Sequence, residues 1–402
     1  MNKITILQCC LLGLATVIQA QPAQRSDAVW ARSTAGVPVT LDGLLNEPAW
    51  AQAESIRVQY QSSSEIIPGS GWRHETGVAT SDPTNATIRF LVVDNWLYLG
   101  IACKDSSVGG GLFNRFDGFL MNLRRHELSA RPAPPFEYFY GWVTEPWADP
   151  ATGEVGASPG FFGFVGGPRD SITANVWNAA TTVQGLSNAD SILDEGYISE
   201  IAINLTPRGY EVTRPEGDVL EFNISIYDAD WQWPLQIDKY SGNRTWLQGP
   251  WGNASFYSVL RIHARPDVTV NSGLAPPIGP EVIIPNGVNY ADPTIDGQLN
   301  EAVWQAVPGF DIRFGDEALR PSYPGIGAYR SGQFQPAVND VTAPVLDPGD
   351  ATVKWFFKDD MLYVGVDVRD EAVWSIPAFE QWDGFQMIIN DRAVFNENDH
   401  SL

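Results

Sequence analysis

Apolar residues in this chain recur mostly at every second position, the period of a β-strand with one buried face. Ile88, Phe90 and Val92 fall on one face of 86–93, and Leu97, Leu99, Ile101 and Cys103 on one face of 97–105. Asp94-Asn95 between them predicts a two-residue hairpin turn. The stretch 116–123 reads as another strand. Phe136, Tyr138, Tyr140 and Trp142 share a face, and 161–165 and 172–177 are further strand candidates. Ile201, Ile203 and Leu205 alternate, as do Leu220, Phe222, Ile224 and Ile226, and 256–262 closes the set. Residues 21–35 read as an exposed leader, 61–83 as a polar loop and 109–111 as a flexible link. Helical periodicity is scarce. Many short strands with turn residues between them predict an all-β fold, an antiparallel β-sandwich of jelly-roll or immunoglobulin-like kind.

The pattern is written twice. Asp42, Gly43, Leu45, Asn46, Glu47 and Trp50 recur at unchanged spacing as Asp296, Gly297, Leu299, Asn300, Glu301 and Trp304. Asp-Gly predicts a turn of positive φ, Asn a helix cap, Glu a place in the positive first turn, and Trp an inward plug. Ala86–Val92 matches Ala351–Phe357, Leu97-Tyr-Leu-Gly100 matches Leu362-Tyr-Val-Gly365, and Asp105 matches Asp370. Phe116-Asp-Gly-Phe119 matches Trp382-Asp-Gly-Phe385. Two sandwich modules in tandem are therefore expected, at 36–263 and 290–402, joined by a Pro/Gly-rich linker at 264–289. The second module is read as C-terminally incomplete, because nothing in it corresponds to the strands at 197–205 and 219–227. A longer chain, or another chain, is expected to supply the rest.

Composition narrows the class. Acidic residues number 48 against 25 Lys and Arg, a net charge of -23, which argues against nucleic acid or anionic membrane as partner. Residues 1–20 read as a signal peptide, with Lys3, an apolar run and a small residue, Ala20, before the cut. No other stretch is apolar enough to span a membrane. The expected location is secreted, periplasmic or cell-surface. Cys9 and Cys10 fall in the leader, leaving Cys103 as a small buried hydrophobe.

The order of motifs resembles the family 9 carbohydrate-binding modules and the wider DOMON-like sandwiches. The resembling string runs from Asp42–Trp50 through a hairpin ending in Leu-Tyr-x-Gly and an aromatic-Asp-Gly-Phe element. It continues with Tyr197-Ile-Ser-Glu-Ile-Ala-Ile203 and ends in Asp228-Ala-Asp-Trp231. The resemblance implies a sugar gripped between two tryptophans, polar side chains around it, and structural calcium nearby.

Sugar recognition needs flat apolar faces for the C–H side of a pyranose and amide or charged groups for its hydroxyls. Trp231, Trp233, Trp246 and Trp251, with Gln232 and Arg244, supply both kinds in one window, and Trp142 and Trp177 offer a facing wall. Each of these is equally a candidate for core packing or loop bracing. Asp228 and Asp230 are candidate calcium ligands, hard oxygens in an acidic chain, with a solvated acidic loop as the other reading. Haem is not expected. Met121 and Met387 recur, but no His recurs to pair with them, and both sit at core spacing.

Catalysis is not expected either. Gly156-Ala-Ser158-Pro-Gly160 has the nucleophile-elbow spacing, but Pro159 has no N–H to offer an oxyanion. The reading is non-catalytic polysaccharide binding by an exported protein that attaches a larger surface or glycan-degrading protein to its substrate. The alternatives are a structural or interaction domain without a sugar ligand, and a haem electron-transfer module. Oligomeric state is not legible.

Overall fold

The computed structural model describes residues 27–60, 71–77, 82–112, 115–124, 136–142, 160–164, 170–171, 177–189, 191–230, 241–246, 260–279, 283–313, 350–375, 383–385 and 387. In chain order the first strands are β1 (Ala28–Trp30), β2 (Arg32–Ser33), β3 (Glu54–Gln59), β4 (Gly71–Gly77), β5 (Asn85–Val93) and β6 (Trp96–Lys104). A small hairpin, β7 (Gly110–Leu112) and β8 (Arg115–Phe116), leads to β9 (Gly118–Arg124), β10 (Phe136–Trp142), β11 (Gly160–Phe164) and β12 (Asp170–Ser171). Then come β13 (Trp177–Gln184), β14 (Gly196–Asn204), β15 (Asp218–Asp228), β16 (Ser241–Trp246) and β17 (Leu260–Ala264). Short helix α1 spans Pro48–Gln52.

These strands make two mainly antiparallel sheets. One holds nine strands, ordered β1-β17-β15-β9-β10-β11-β12, with β16 beside β15 and β4 beside β16. The other holds six, ordered β13-β14-β6-β5, with β5 flanked by β2 and β3. The alternating apolar faces meet between the sheets. Ile88, Phe90 and Val92 of β5, Leu97, Leu99 and Ile101 of β6, and Ile201 and Ile203 of β14 pack against Met121 of β9 and Phe222, Ile224 and Ile226 of β15. Phe90 and Phe222 meet edge to face at 6.2 Å across the interface. This is the expected all-β sandwich. Burying so many large side chains is its main source of stability.

Several expectations are corrected. Residues 27–34 are no leader: β1 pairs in parallel with β17, β2 in parallel with β5, and Ala31 is fully buried. Strand β4 occupies part of the expected loop 61–83, and β7 part of the expected link 109–111. Of the strand expected at 172–177 only Trp177 is described; it opens β13, which runs to Gln184, and 172–176 lie outside the described residues. The closing strand ends at Ala264. Within the stretch read as a linker, Val268 and Ile278 pack on Trp30, whose indole donates to the Pro276 carbonyl at 2.8 Å. No helix among the described residues is long and apolar enough to cross a membrane.

The repeated Asp42–Trp50 motif covers part of the six-stranded sheet's outer face. Gly43 takes φ 78° and Gly297 φ 81°, as the Asp-Gly turn requires. Asn46 is not the cap. Glu47 occupies that position, and its Oε1 accepts from the Thr40 N–H at 2.7 Å. Glu301 accepts from the Thr294 N–H at 2.8 Å in the same way. Trp50 is buried, with Val39, Leu91 and Val270 for neighbours, in a satellite core outside the main one. It lies over Gly100, where an added Cβ would stand 2.5 Å from Leu45 Cδ2 and 3.1 Å from Trp50 Cζ3.

Buried Glu200 locks this motif down. Its Oε1 accepts from the Trp50 indole at 2.8 Å, and its Oε2 from the Asp42 and Gly43 N–H groups at 2.8 and 2.7 Å. Burial pushes its carboxyl above the usual range, against the pull of those donors.

In the second stretch, α2 (Ala302–Ala306) precedes a three-stranded sheet of β18 (Gly309–Arg313), β19 (Asp350–Lys358) and β20 (Met361–Arg369). Trp304 is buried against Phe356, and a Cβ at Gly365 would stand 2.8 Å from Leu299 and 3.1 Å from Trp304. The contact of tryptophan and leucine over glycine is thus made twice.

Candidate cation and ligand site

Five strand ends of the sandwich converge on one group of carboxylates. Asp82 precedes β5, Asp105 follows β6, Asp194 precedes β14, Asp117 precedes β9, and Asp228 and Asp230 stand at the end of β15. The backbone between Asp105 and Gly109 is held by them. The Ser106 N–H donates to Asp82 at 2.5 Å, Ser107 to Asp105 at 2.8 Å, Val108 to Asp194 at 2.8 Å, and Gly109 to Asp117 at 2.5 Å. Four successive amides thus reach four different carboxylates. Asp117 also accepts from the Ala229 N–H at 2.6 Å, which ties the end of β15 to the same loop.

Ligand oxygens of Asp82, Asp105 and Asp230 all lie within 4.8 Å of one another. Asp105 is buried and the other two are half-buried. Beside them Asp228 is 3% exposed. Its Oδ2 accepts from the Thr84 hydroxyl at 2.9 Å, while its buried Oδ1 has no hydrogen-bond partner. Among the described residues none of Asp82, Asp105, Asp117 and Asp228 pairs with a Lys or Arg.

The electrostatics follow. Desolvation, opposed by the Ser107 N–H and reinforced by Asp230, Asp82 and Asp194, raises Asp105 from 3.8 to about 7. Desolvation and then neighbouring carboxylates push Asp117 and Asp228 up as well. Buried anions of one sign, with an orphaned carboxylate oxygen among them, fit a hard cation with oxygen ligands.

Of the expected metal ligands, Asp230 belongs to this trio and Asp228 adjoins it. Asp82 and Asp105 were missed, although the recurrence of Asp105 as Asp370 marked it. That recurrence is structural too. Asp370 accepts from the Ala372 N–H at 2.9 Å as Asp105 does from Ser107. Asp383 accepts from the Trp374 N–H while its own N–H donates to the Trp374 carbonyl at 3.0 Å, and Asp117 makes the same pair of bonds with Gly109.

The expected sugar-binding residues divide. Trp231, Gln232, Trp233 and Trp251 lie outside the described residues. Arg244 and Trp246 stand on β16, in register with Tyr227 and Ser225 of β15 on one side and Arg73 and Gly71 of β4 on the other. Trp142 ends β10, between Gly118 of β9 and Gly160 of β11. Trp177, opposite Ile203, is 2% exposed within the main core, so its faces are spent on packing. Met121 is core filler. The outer face of β15 holds a surprise: Glu221, Asn223, Ser225 and Tyr227 are as buried as the apolar residues between them.

No family model matches this sequence, and no curated protein matches it. Among solved structures, a family 9 carbohydrate-binding module from Caldicellulosiruptor kristjanssonii, in complex with cellotriose, is similar at 14% identity and TM-score 0.32, covering 63% of this chain and 100% of its own. The same organism's module in complex with glucose gives 14%, TM-score 0.31, and coverages of 62% and 98%. A candidate carbohydrate-binding protein from Bacteroides uniformis gives 8%, TM-score 0.33, and coverages of 60% and 100%.

Proposed function

We propose that this protein is an exported, non-catalytic polysaccharide-binding protein whose aromatic segment 231–251 is braced by a calcium ion. The observation that supports this most is the joint between acid and aromatic. Asp228 and Asp230 enter the carboxylate cluster at the end of β15, and the chain passes directly from there to Trp231, Gln232 and Trp233 before returning as β16. Among the described residues Asp82, Asp105, Asp117 and Asp228 have no Lys or Arg partner, and a cation would supply the balancing charge. Asp82, Asp105 and Asp230 hold it, Asp228 completes the shell, and the Asp105–Gly109 amides keep the carboxylates in place. Loops carried on a rigid scaffold are where binding residues concentrate. Indole faces from Trp231 and Trp246 take the C–H side of a pyranose, and Gln232 and Arg244 take its hydroxyls.

Pull-down on insoluble polysaccharides and titration with soluble oligosaccharides test this reading. Trp231→Ala and Trp246→Ala are each expected to weaken binding by at least about thirtyfold, the loss of one central aromatic anchor. Failure to bind any neutral glycan, or binding that survives both substitutions, overturns it.

A further inference from the structure

A second candidate binding surface lies on the outer face of the six-stranded sheet, beside the Asp42–Trp50 motif. Odd-numbered residues of β5 face outward there. Leu91 and Val93 are covered by the satellite core around Trp50, whereas Asn85, Thr87 and Arg89 line an open groove of about 620 Å³. That size falls within the range of small-ligand sites. Arg57 enters the same groove from β3 and Lys104 from β6. Three successive strands, β3, β5 and β6, therefore contribute one cation each, and at the spacing of neighbouring strands the outer two stand about 10 Å apart.

The charge of this groove runs against that of the chain. Acidic residues outnumber basic ones 48 to 25 overall, yet the described residues lining the groove include three cations and, at the β14 end, one carboxylate, Glu195. Among the described residues these cations enter no ion pair. Arg57 spends Nε and Nη2 on the Asn85 Oδ1, both at 3.1 Å, which aligns the guanidinium and leaves its remaining donors open. Thr87 and Gln184 add neutral hydrogen-bonding groups to the lining.

We infer that this groove binds an anionic saccharide, a short run of carboxylate-bearing sugar units. Its carboxylates pair with Arg57, Arg89 and Lys104, and its hydroxyls with Thr87 and Gln184. The charge pattern selects anions, and the mixture of fixed cations with amide and hydroxyl groups selects a polyhydroxylated one. A nucleic acid or an anionic membrane presents far more charge than the groove can neutralise, and the field of the whole protein repels both. Glu195 closes one end and sets the direction in which the ligand lies. None of the residues named in this groove belongs to the tryptophan segment, though the inference shares the premise that the protein handles glycans.

Titration of the full chain with an oligogalacturonide of defined length tests it. Binding is expected at 50 mM salt, to weaken severalfold at 300 mM, and to fall about tenfold for each of Arg89→Gln and Lys104→Gln. Arg89→Lys should retain most of the affinity, and Glu195→Gln should raise it. Trp231→Ala with Trp246→Ala should leave it unchanged, while the same pair abolishes neutral polysaccharide binding. The two sites therefore fail separately. Four results overturn the inference: no oligogalacturonide binding by a chain that still binds neutral glycan, affinity unaffected by the cation substitutions, equal affinity for the reduced uncharged oligosaccharide, or equal displacement by inorganic sulfate or single-stranded DNA at matched ionic strength.

Discussion

Chelation of divalent cations at pH 7.5 is expected to lower the melting temperature by roughly 5–10 °C, and added calcium to restore it. The carboxylate cluster sets this size. Asp105 is raised from 3.8 to about 7, so its protonated form is favoured in the folded chain. A carboxyl whose folded pKa lies above its unfolded value contributes stability that is present below the unfolded pKa. That contribution is lost as pH rises through the folded one. The window therefore runs from about pH 4 to about pH 7, and the coupled acids together contribute on the order of a few kcal/mol across it. Asp117 and Asp228 shift in the same direction.

Cation-free protein should thus be more stable at pH 5.5 than at pH 7.5. Calcium should reverse the order, because a bound cation replaces the protons. At a hundredfold excess over its Kd, a ligand of the native state adds about 2.7 kcal/mol. Asp105→Asn imitates the protonated acid. It should stabilise the cation-free protein at pH 7.5 and remove the response to calcium. A chelated melting curve that matches the untreated one, together with a flat cation-free profile between pH 5.5 and 7.5, would sink the cation site.

Glu200→Ala is expected to cost on the order of 3–6 kcal/mol, because it strands two buried donors, the Trp50 indole and the Gly43 amide, and the part-buried Asp42 amide. For a unit of this size that is a fall of about 10 °C or more. Glu200→Gln keeps one acceptor but turns an N–H₂ toward the remaining donors, so an intermediate loss is expected. Urea unfolding supplies the stability. Hydrogen exchange supplies the mechanism, since the amides of Asp42 and Gly43 should exchange far faster in Glu200→Ala while those of β15 hold their rank. Stability within about 1 kcal/mol of the unmodified protein would show that the Asp42–Trp50 motif is held by packing alone.

How much of this was legible in the sequence depended on whether neighbours in the chain were neighbours in space. The β5–β6 hairpin announced itself because its period, its turn and its buried face all lie within twenty residues. Asp94 duly takes φ 50°, and Asp359 in the second stretch does the same. Strand β13 was obscured because Asn178, Ala179, Ala180 and Thr181 do not divide into apolar and polar faces; Thr181 reaches inward and bonds Ser199 at 2.8 Å. Strands β1 and β2 are too short for any period and exist through parallel pairing with β17 and β5. Trp177 carried the chemistry of a binding residue, but its place opposite Ile203 decided for the core. The candidate cation site was half legible. Asp228 and Asp230 stood beside a conspicuous aromatic run, whereas Asp82 and Asp105 belong with them only after both sheets have formed.

That last dependence bears on the order in which the molecule assembles. The amides of 106–109 wait on carboxylates from positions 82, 105, 117 and 194, and the orphaned oxygen of Asp228 arrives on a strand from the opposite sheet. No early, local hairpin contains more than a fraction of this set, so the cluster cannot seed folding. It is completed near the summit of the folding barrier or beyond it. Interactions formed that late lengthen the life of the native state without hastening its birth. The ring of acids is in this sense a latch fastened last, and a cation held there would govern how long the sandwich stays shut.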